Sequence, residues 1–414
     1  MAKPSIRTKL STLLGYLGPG FLVTVGFIDP GNWATNIEGG ARYGYELLWV
    51  VTLGTLMLIV IQHSAARLGI ATGKSLSVNI RENFSKPMST FTGITVILAC
   101  VATDVAELLG GGIGFSLLFN IPLWAGSLLT LLIKLFLIIS QRYHRLESII
   151  VGTLAIITLC YLLELWLVKP DWKAVGTALI IPRITPGTIA TIMAILGALV
   201  MPHNIFLHSS AIRSRQWGIT DSEKQQLLRY EYLDTTLAMT LGWLVNGSMI
   251  IVAAAVFFSN ARPVTTLEEA SITLQPIAGS FANLLFTLAL ICSGIGASLT
   301  SSMAEAEVIT GFLGKPQDPG TPFYRASILI PSIPAFIIIL LSNNTFDLLI
   351  ISQLLLGIQL PFTLIPLLLL SRNSNVMGNF RSRTPEFLLA CIIAATVTGL
   401  NLYFFTATIS ELHP

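Results

Sequence analysis

Asp29-Pro30-Gly31-Asn32 and Met201-Pro202-His203-Asn204 interrupt two long apolar runs in opposite halves of the chain. Each segment places a proline and polar side chains where the flanking sequence is apolar enough to lie in a bilayer. An unpaired backbone group in hydrocarbon costs several kcal/mol, so such segments are tolerated only where a broken helix lines a cavity enclosed by protein. Paired breaks at corresponding positions of two halves indicate the binding site of a transporter.

The composition is that of a polytopic membrane protein. Of the 414 residues, 53% are hydrophobic and 11% are charged, which is about half the charged share of a soluble domain. Apolar stretches long enough to cross roughly 30 Å of hydrocarbon recur along nearly the whole chain. The net charge of +3 is too small to indicate nucleic acid as a partner. The apolar stretches make the lipid bilayer the expected surrounding.

The apolar runs predict about eleven membrane spans joined by short connections. Lysines and arginines are concentrated in alternate connections, which predicts a cytoplasmic N-terminus and an external C-terminus. A location in the cytoplasmic membrane is expected. The predicted spans are residues 17–40, 45–66, 90–118, 121–140, 148–168, 188–212, 235–258, 281–311, 325–342, 346–370 and 385–408.

The two interruptions fall in spans one and six, which predicts an all-α transporter built from two repeats of five spans. An odd number of spans per repeat means that the repeats insert in opposite senses. We therefore expect a single transmembrane domain over residues 1–414, with repeat one at about 17–168, repeat two at about 188–370 and a peripheral helix at about 385–408. The alternative is that both prolines only kink continuous helices; Gly31 beside Pro30 argues against it in span one.

The breaks combine hard and soft metal ligands. Asp29 offers a negative charge, Asn32 a side-chain oxygen, and the carbonyls near Gly26 and Ala198 become available where the helices unwind. Oxygen ligands alone suit Mg²⁺, Ca²⁺ or Na⁺, whereas the thioether of Met201 favours Mn²⁺, Fe²⁺, Co²⁺ or Cd²⁺. A divalent transition metal ion is therefore the predicted substrate; the alternative for Met201 is packing against lipid.

Titratable side chains near the breaks predict proton coupling. His203 changes its charge near neutral pH when its surroundings change. Asp104 and Glu107 are spaced i,i+3 on one face of span three, where a carboxylate is a candidate functional group. They form either a proton relay or a structural ion pair with Arg215 or Lys134, and Arg215 follows the second break toward the predicted cytoplasmic side.

Three further polar residues lie in apolar spans. Glu305 and Glu307 are two positions apart, so they point to different faces of span eight; they are candidates for a second ion or proton site. Gln353 in span ten is placed either to reach an ion in the cavity or to form a hydrogen bond between helices.

Three segments of the sequence resemble one known family. Gly26–Gly40 and Ala198–Ser209 resemble the two signatures of the Nramp divalent metal transporters, and Ala102–Gly110 is similar to the third span of that family. The resemblance extends from about Leu17 to Tyr403. Within the family, the chain resembles the eleven-span bacterial proton-coupled manganese importers.

The resemblance implies a fold shared with sodium-coupled amino-acid symporters and proton-driven uptake of Mn²⁺, with Fe²⁺ and Cd²⁺ as further substrates. It implies no resident cofactor, and a monomer is expected. The metal ligands implied are Asp29, Asn32, Met201, the carbonyls of Gly26 and Ala198, and Gln353. The proton route implied is His203, Asp104, Glu107 and Arg215. The chain departs from the family pattern at Glu305-Ala306-Glu307, where Gly-Gln-Val is usual. It also departs in span nine, which normally opens with an arginine pair but here has only Arg325.

Other functional classes fit the sequence less well. A sodium-coupled symporter of organic solutes on the same fold would bind a substrate carboxylate, which Asp29 would repel. A membrane metalloenzyme would need a hydrolytic zinc motif such as HExxH, which the sequence lacks. A metal sensor would need a cytosolic output domain, and none is apparent.

Overall fold

The computed structural model describes residues 18–140, 143–215, 220–261, 264, 266–271, 279–342 and 344–412, and the regular elements within these ranges are all helices. Nine helical segments of this part of the chain are long and apolar enough to cross a membrane. The interrupted first span and the last helix bring the number of spans in these ranges to eleven. The prediction of an all-α membrane protein with about eleven spans is confirmed.

We number the α-helices of the described ranges in chain order. They are α1 Pro19–Gly26, α2 Pro30–Tyr43, α3 Leu48–Thr72, α4 Leu76–Asn83, α5 Lys86–Phe119, α6 Leu123–Ser140, α7 Tyr143–Val168, α8 Trp172–Ile180, α9 Ile189–Leu199, α10 Pro202–Ala211, α11 Asp221–Val256, α12 Ser280–Leu313, α13 Pro322–Ser327, α14 Leu329–Leu341, α15 Thr345–Arg372, α16 Ser374–Met377 and α17 Thr384–Leu412.

Helix α5 runs through the middle of the bundle and packs against α6, α12, α14 and α15. Small residues permit this close packing, as is usual between membrane helices. A side chain at Gly110 would collide with the ring of Pro30, and Cβ atoms at Gly112 and Gly294 would meet Ser127 and Gly111. The glycine-rich half of α5 therefore lies directly beside the first interruption.

Most spans differ from their predicted bounds by a few residues, and two of these differences have a clear cause. Helix α11 begins at Asp221 rather than at residue 235, because Thr220 and Glu223 form a capping box that starts the helix in a polar segment. Span nine consists of the short α13 followed by α14, with Pro334 inside the second helix. Hydrophobicity locates the part of a helix within the bilayer but not its polar extension.

Candidate metal-binding site

The first span is broken between α1 and α2. Helix α1 ends at Gly26, Phe27 is its C-cap, and Asp29 is the extended N-cap residue of α2. Pro30 has no backbone N–H, so the carbonyl of Gly26 lacks the donor that a continuous helix would supply four residues later. Asp29 Oδ1 accepts a hydrogen bond from the backbone N–H of Asn32 at 2.9 Å, which stabilises the start of α2.

The sixth span is broken in the same way. Helix α9 ends at Leu199, and Met201 is the extended N-cap residue of α10, which begins at Pro202. Pro202 withholds a donor from the carbonyl of Ala198, just as Pro30 does from that of Gly26. Two broken helices are therefore present where the sequence predicted them, and continuous kinked helices are excluded at both places.

Side-chain amides join the two breaks to each other. Asn32 Nδ2 lies 3.2 Å from the carbonyl oxygen of Ala198, 2.9 Å from Asp29 Oδ1 and 2.8 Å from the carbonyl oxygen of Phe27. From the other side, Asn204 Nδ2 donates to the sulfur of Met201 at 3.5 Å. A Cβ atom at Gly26 would lie only 2.6 Å from the Asn204 amide.

Helix α15 closes the site through Gln353. Its Nε2 donates to Asp29 Oδ2 at 3.3 Å. The close approach of Gln353 to Asp29 requires glycine at position 31, since any side chain there would occupy the place of the Gln353 amide. Asp29, Asn32 and Gln353 are fully buried, and Met201 is 1% exposed, so the site is occluded from both sides of the bundle.

Three amide oxygens around this site have no hydrogen-bond donor. Asn32 Oδ1, Asn204 Oδ1 and Gln353 Oε1 are all buried and without a partner in the part of the chain that the structure describes. A buried polar atom left unsatisfied costs about 1–3 kcal/mol. Together with the Asp29 carboxylate, these oxygens form a set of metal ligands. A bound cation would supply the positive charge that these buried oxygens lack.

This set of metal ligands is unlike that of a zinc enzyme. No group of three or more His, Cys, Asp and Glu side chains placed to hold a metal is found among the described residues. The site instead combines one carboxylate with neutral oxygens and a thioether. Such a set suits a hydrated divalent ion that must bind and leave again.

His203 connects the second break to α5. Its side chain is fully buried, and Nδ1 lies 3.1 Å from Thr103 Oγ1. The other ring nitrogen, Nε2, is buried without a hydrogen-bond partner among the described residues. Thr103 directly precedes Asp104, so the imidazole stands between the metal-binding break and the acidic face of α5.

The acidic pair on α5 has a lysine partner. Lys134 Nζ lies 2.5 Å from Asp104 Oδ1, and both side chains are fully buried. Ser332 Oγ donates to Asp104 Oδ2 at 2.6 Å, and Ser301 Oγ donates to Glu107 Oε2 at 2.5 Å. Of the two cations that the sequence offered as partners, Lys134 is the one that contacts this pair.

Arg215 lies elsewhere, at the N-terminal end of α1. It forms an ion pair with Glu147 of α7 rather than with Asp104 or Glu107, which corrects the pairing that the sequence suggested. Next to this ion pair, Asp234 accepts hydrogen bonds from the backbone N–H groups of Gly18 at 3.1 Å and Gly20 at 2.7 Å. These contacts fix the start of α1 to α7 and α11.

Glu305 and Glu307 do not share a site. Glu305 is fully buried, and its Oε2 lies 3.8 Å from Lys134 Nζ. Glu307 points away from this lysine, and its Oε2 lies 3.9 Å from an Nη atom of Arg213. Their different faces agree with the two-residue spacing of the pair.

Several contacting residues were not singled out from sequence. Asn204 belongs to the quoted second motif, and the recurrence of X-Pro-x-Asn in both breaks was the signal that could have found it. Lys134 was a candidate ion-pair partner of the acidic residues, with no role in transport assigned to it. Ser301, Ser332 and Glu147 carry no sequence signal, because hydroxyls and charges of this kind also occur at unrelated positions of membrane helices.

Comparison with known proteins gives one consistent family. The family profile described as Nramp, natural resistance-associated macrophage protein-like, matches residues 20–407. Several relatives from different bacteria are named divalent metal cation transporter MntH. The one from Brucella suis biovar 1 (strain 1330) is 38% identical and covers 95% of this chain and 88% of its own. The one from Deinococcus radiodurans is 39% identical and covers 94% and 89%.

Solved structures show the same fold. The crystal structure of the Eremococcus coleocola manganese transporter with an aromatic bis-isothiourea compound has a TM-score of 0.88 at 28% identity, covering 100% of this chain and 91% of its own. Mhp1, a nucleobase-cation-symport-1 family transporter in a closed conformation, has a TM-score of 0.62 at 12% identity, which is similarity of fold alone. With a profile match over nearly its full length, this chain belongs to the Nramp family, whose matched members are named as transporters and not as enzymes.

Proposed function

We propose that this protein is a secondary transporter that imports Mn²⁺, together with Fe²⁺ and Cd²⁺, across the cytoplasmic membrane by alternating access, driven by protons. The observation that carries the proposal is the Asn32–Ala198 hydrogen bond, which joins two broken helices beside one buried carboxylate. The matched relatives are named divalent metal cation and manganese transporters, which supports the same class of substrate.

The ligand types favour a transition metal over an organic substrate. Asp29, the amide oxygens of Asn32 and Gln353, and the carbonyls of Gly26 and Ala198 would replace water around a dication. Met201 adds a soft sulfur, which benefits Mn²⁺, Fe²⁺ and Cd²⁺ more than Mg²⁺ or Ca²⁺. A carboxylate-bearing organic substrate of a sodium-coupled symporter would instead be repelled by Asp29.

Proton coupling is supported by the contacts between the metal site and α5. A dication at Asp29 requires the ionised carboxylate, which links its arrival to proton release. Thr103 positions His203 next to Asp104. We propose that the proton travels through His203, Asp104 and Glu107. Arg215 and Glu147 are assigned to the closure of the route at the N-terminal end of α1.

The arrangement in the membrane completes the proposal. The excess of Lys and Arg in alternate connections supports a cytoplasmic N-terminus and an external C-terminus. One domain carries the whole site, since α1, α2, α9, α10 and α15 all contribute to it. These helices belong to a single copy of the chain, and we propose that the protein works as a monomer.

Uptake by the purified protein in proteoliposomes tests the substrate. We expect Mn²⁺, Fe²⁺ and Cd²⁺ to accumulate and labelled amino acids not to. Asp29→Asn should abolish metal uptake because it removes the only negative charge of the proposed ligand set. Asp171→Asn is the matched control: Asp171 is also a helix N-cap, at the exposed start of α8, and uptake should persist. Equal uptake by both variants would contradict the proposed site.

The role of His203 is tested separately by the dependence of uptake on pH. In His203→Ala, Mn²⁺ should still bind, while acceleration of uptake by an inward proton gradient should be lost or reduced. His63 is the control, because it lies outside the site and contacts Glu231 at 2.5 Å. A His203→Ala protein with the wild-type pH profile would remove this residue from the proton route.

A further inference from the structure

Four ionisable side chains meet at a fully buried place beside the metal site. Asp104 and Glu107 come from α5, Lys134 from α6 and Glu305 from α12, and all four are 0% exposed. We call this group the acid–lysine cluster. With every member ionised it would carry three negative charges and one positive charge. Such an excess of buried negative charge is unstable unless protons or cations neutralise it.

Apart from Lys134, no permanently charged cation among the described residues lies next to the acid–lysine cluster. The titratable groups acting on it are the Cys100 thiol of α5, His203 of α10 and, through Glu107, the carboxyl of Asp29. The group facing it from α14 is the hydroxyl of Ser332. Within the described ranges Lys134 is therefore the one fixed positive charge, and it can balance a single carboxylate.

The contacts of Asp104 identify it as the carboxylate that Lys134 balances. Asp104 accepts from Lys134 Nζ at 2.5 Å, from Ser332 Oγ at 2.6 Å and from Ser301 Oγ at 3.4 Å. Hydrogen bonds donated to a carboxylate favour its ionised form. Asp104 is thus equipped on both oxygens to hold a negative charge in the interior.

Glu305 has the opposite environment. Both of its oxygens are buried without a hydrogen-bond donor in the described part of the chain, and Lys134 remains at 3.8 Å. Its side chain also lies against that of Asp104. Two facing carboxyl groups in a buried site share a proton rather than ionise together. Glu305 is therefore the partner that carries the proton while Asp104 is ionised.

We propose that Glu305 is a proton-carrying residue of the transport cycle and that Lys134 is the positioning cation that selects between Glu305 and Asp104. When that side of the bundle opens, Glu305 releases its proton to water and is left ionised. A proton that next arrives on Asp104 weakens the ion pair with Lys134 and passes to the ionised Glu305, so that an O–H bond breaks on Asp104 and one forms on Glu305. This transfer leaves the charge of the cluster unchanged and restores the Lys134–Asp104 pair of this structure. This inference rests on the proton coupling in the proposed function.

The test uses the full chain in proteoliposomes that contain a pH-sensitive dye, with Mn²⁺ uptake and proton influx recorded together. Glu305→Gln keeps the shape of the side chain but cannot exchange a proton. We expect proton influx per Mn²⁺ to fall to the level of empty vesicles and uptake to become independent of external pH. Mn²⁺ affinity measured by calorimetry should stay close to wild type, since Glu305 is not a ligand.

Glu164→Gln is the matched control, because Glu164 of α7 is also a fully buried carboxyl whose oxygens have no hydrogen-bond partner among the described residues, and it lies outside the acid–lysine cluster. It should retain the wild-type proton influx and pH profile. Glu305→Asp restores a titratable group and should recover proton influx that Glu305→Gln loses. This second variant separates proton transfer from a purely structural effect of the substitution.

Three results would overturn the proposal, and they are distinguishable. If the wild type moves protons with Mn²⁺ and Glu305→Gln does so equally, Glu305 carries no proton although coupling stands. If the wild type itself takes up Mn²⁺ without proton influx, the coupling in the proposed function fails, and the role of Glu305 fails with it. A Glu305→Asp protein that is no better than Glu305→Gln would also reject proton transfer through this residue.

Discussion

The side-chain amide of Asn32 donates to the carbonyl oxygen of Ala198 at 3.2 Å and so links the first turn of α2 to the last turn of α9. The carbonyl is free to accept because Pro202, four residues later, has no N–H. The amide thus takes the place of a missing backbone donor. A cation bound to the same carbonyl and to the Asp29 carboxylate would take over the role of this hydrogen bond. The Asn32 amide therefore stabilises the metal-free protein more than it stabilises the metal-bound protein.

Asn32→Asp should therefore destabilise the metal-free protein and increase its response to metal. The substitution replaces the donor by an oxygen that faces Asp29 Oδ1 and the carbonyls of Phe27 and Ala198. Loss of these hydrogen bonds should cost about 1–3 kcal/mol, seen as a lower Tm in detergent. Saturating Mn²⁺ should raise the Tm of this variant more than that of the wild type.

Asn36→Asp is the control for this prediction. Asn36 is one turn further along α2 and donates to Asn246 Oδ1 at 2.7 Å, so its replacement also removes a buried hydrogen bond. Asn36 is not one of the proposed metal ligands, so Mn²⁺ should raise the Tm of this variant no more than it raises the Tm of the wild type. Equal rescue of both variants would show that the effect is not specific to the metal site.

Pro202→Ala should weaken metal binding by restoring helix at the second break. The new N–H can bond to the carbonyl of Ala198, and removing a proline from a helix interior favours a continuous helix by about 3 kcal/mol. We expect Mn²⁺ affinity to fall by about tenfold, the equivalent of about 1.4 kcal/mol, when titrated by calorimetry.

Pro361→Ala provides the comparison, because Pro361 lies inside the continuous helix α15. Its replacement should leave Mn²⁺ affinity near the wild-type value. If Pro202→Ala binds Mn²⁺ as tightly as Pro361→Ala does, the freed carbonyl of Ala198 is not a ligand.

Met201→Ala should change selectivity more than it changes Mn²⁺ uptake. Removing the thioether leaves a set of oxygen ligands, which Ca²⁺ and Mg²⁺ occupy as readily as softer ions do. Competition of Ca²⁺ against Mn²⁺ uptake should therefore strengthen. In the control Met193→Ala, the methionine removed belongs to the same span but lies within α9, where it packs toward α15 and α17, and selectivity should be unchanged. Unaltered competition in Met201→Ala would count against sulfur coordination.

The broken helices could be predicted from sequence because proline and glycine act locally. Pro30 and Pro202 each remove a backbone donor wherever the chain goes, so the interruptions follow without knowledge of the fold. Spans could be predicted for a similar reason, since hydrocarbon thickness sets the length of an apolar run. These parts of the prediction needed no contacts between distant residues.

The partners of the buried charges could not be predicted in this way. The pairing of Lys134 with Asp104 depends on the rotation of α6 against α5, and that of Arg215 with Glu147 depends on how α7 packs beside α1. The first is set by glycine contacts such as Gly112 with Ser127, which sequence alone does not reveal. The sequence showed that the charges needed partners but left several candidates open.

Gly31→Ala tests whether Gln353 must approach Asp29. A methyl group at residue 31 would occupy the place of the Gln353 amide, so Gln353 should move away and lose its 3.3 Å contact with Asp29 Oδ2. Loss of one supporting contact at a metal site typically lowers affinity by about 10–100-fold, and we expect a decrease in Mn²⁺ affinity within that range by calorimetry. Gly152→Ala in α7 is the control, because a Cβ atom there has no neighbour within 4 Å and alanine favours helix over glycine. Gly152→Ala should therefore bind Mn²⁺ as the wild type does, whereas wild-type affinity in Gly31→Ala would show that Gln353 is dispensable to the ion.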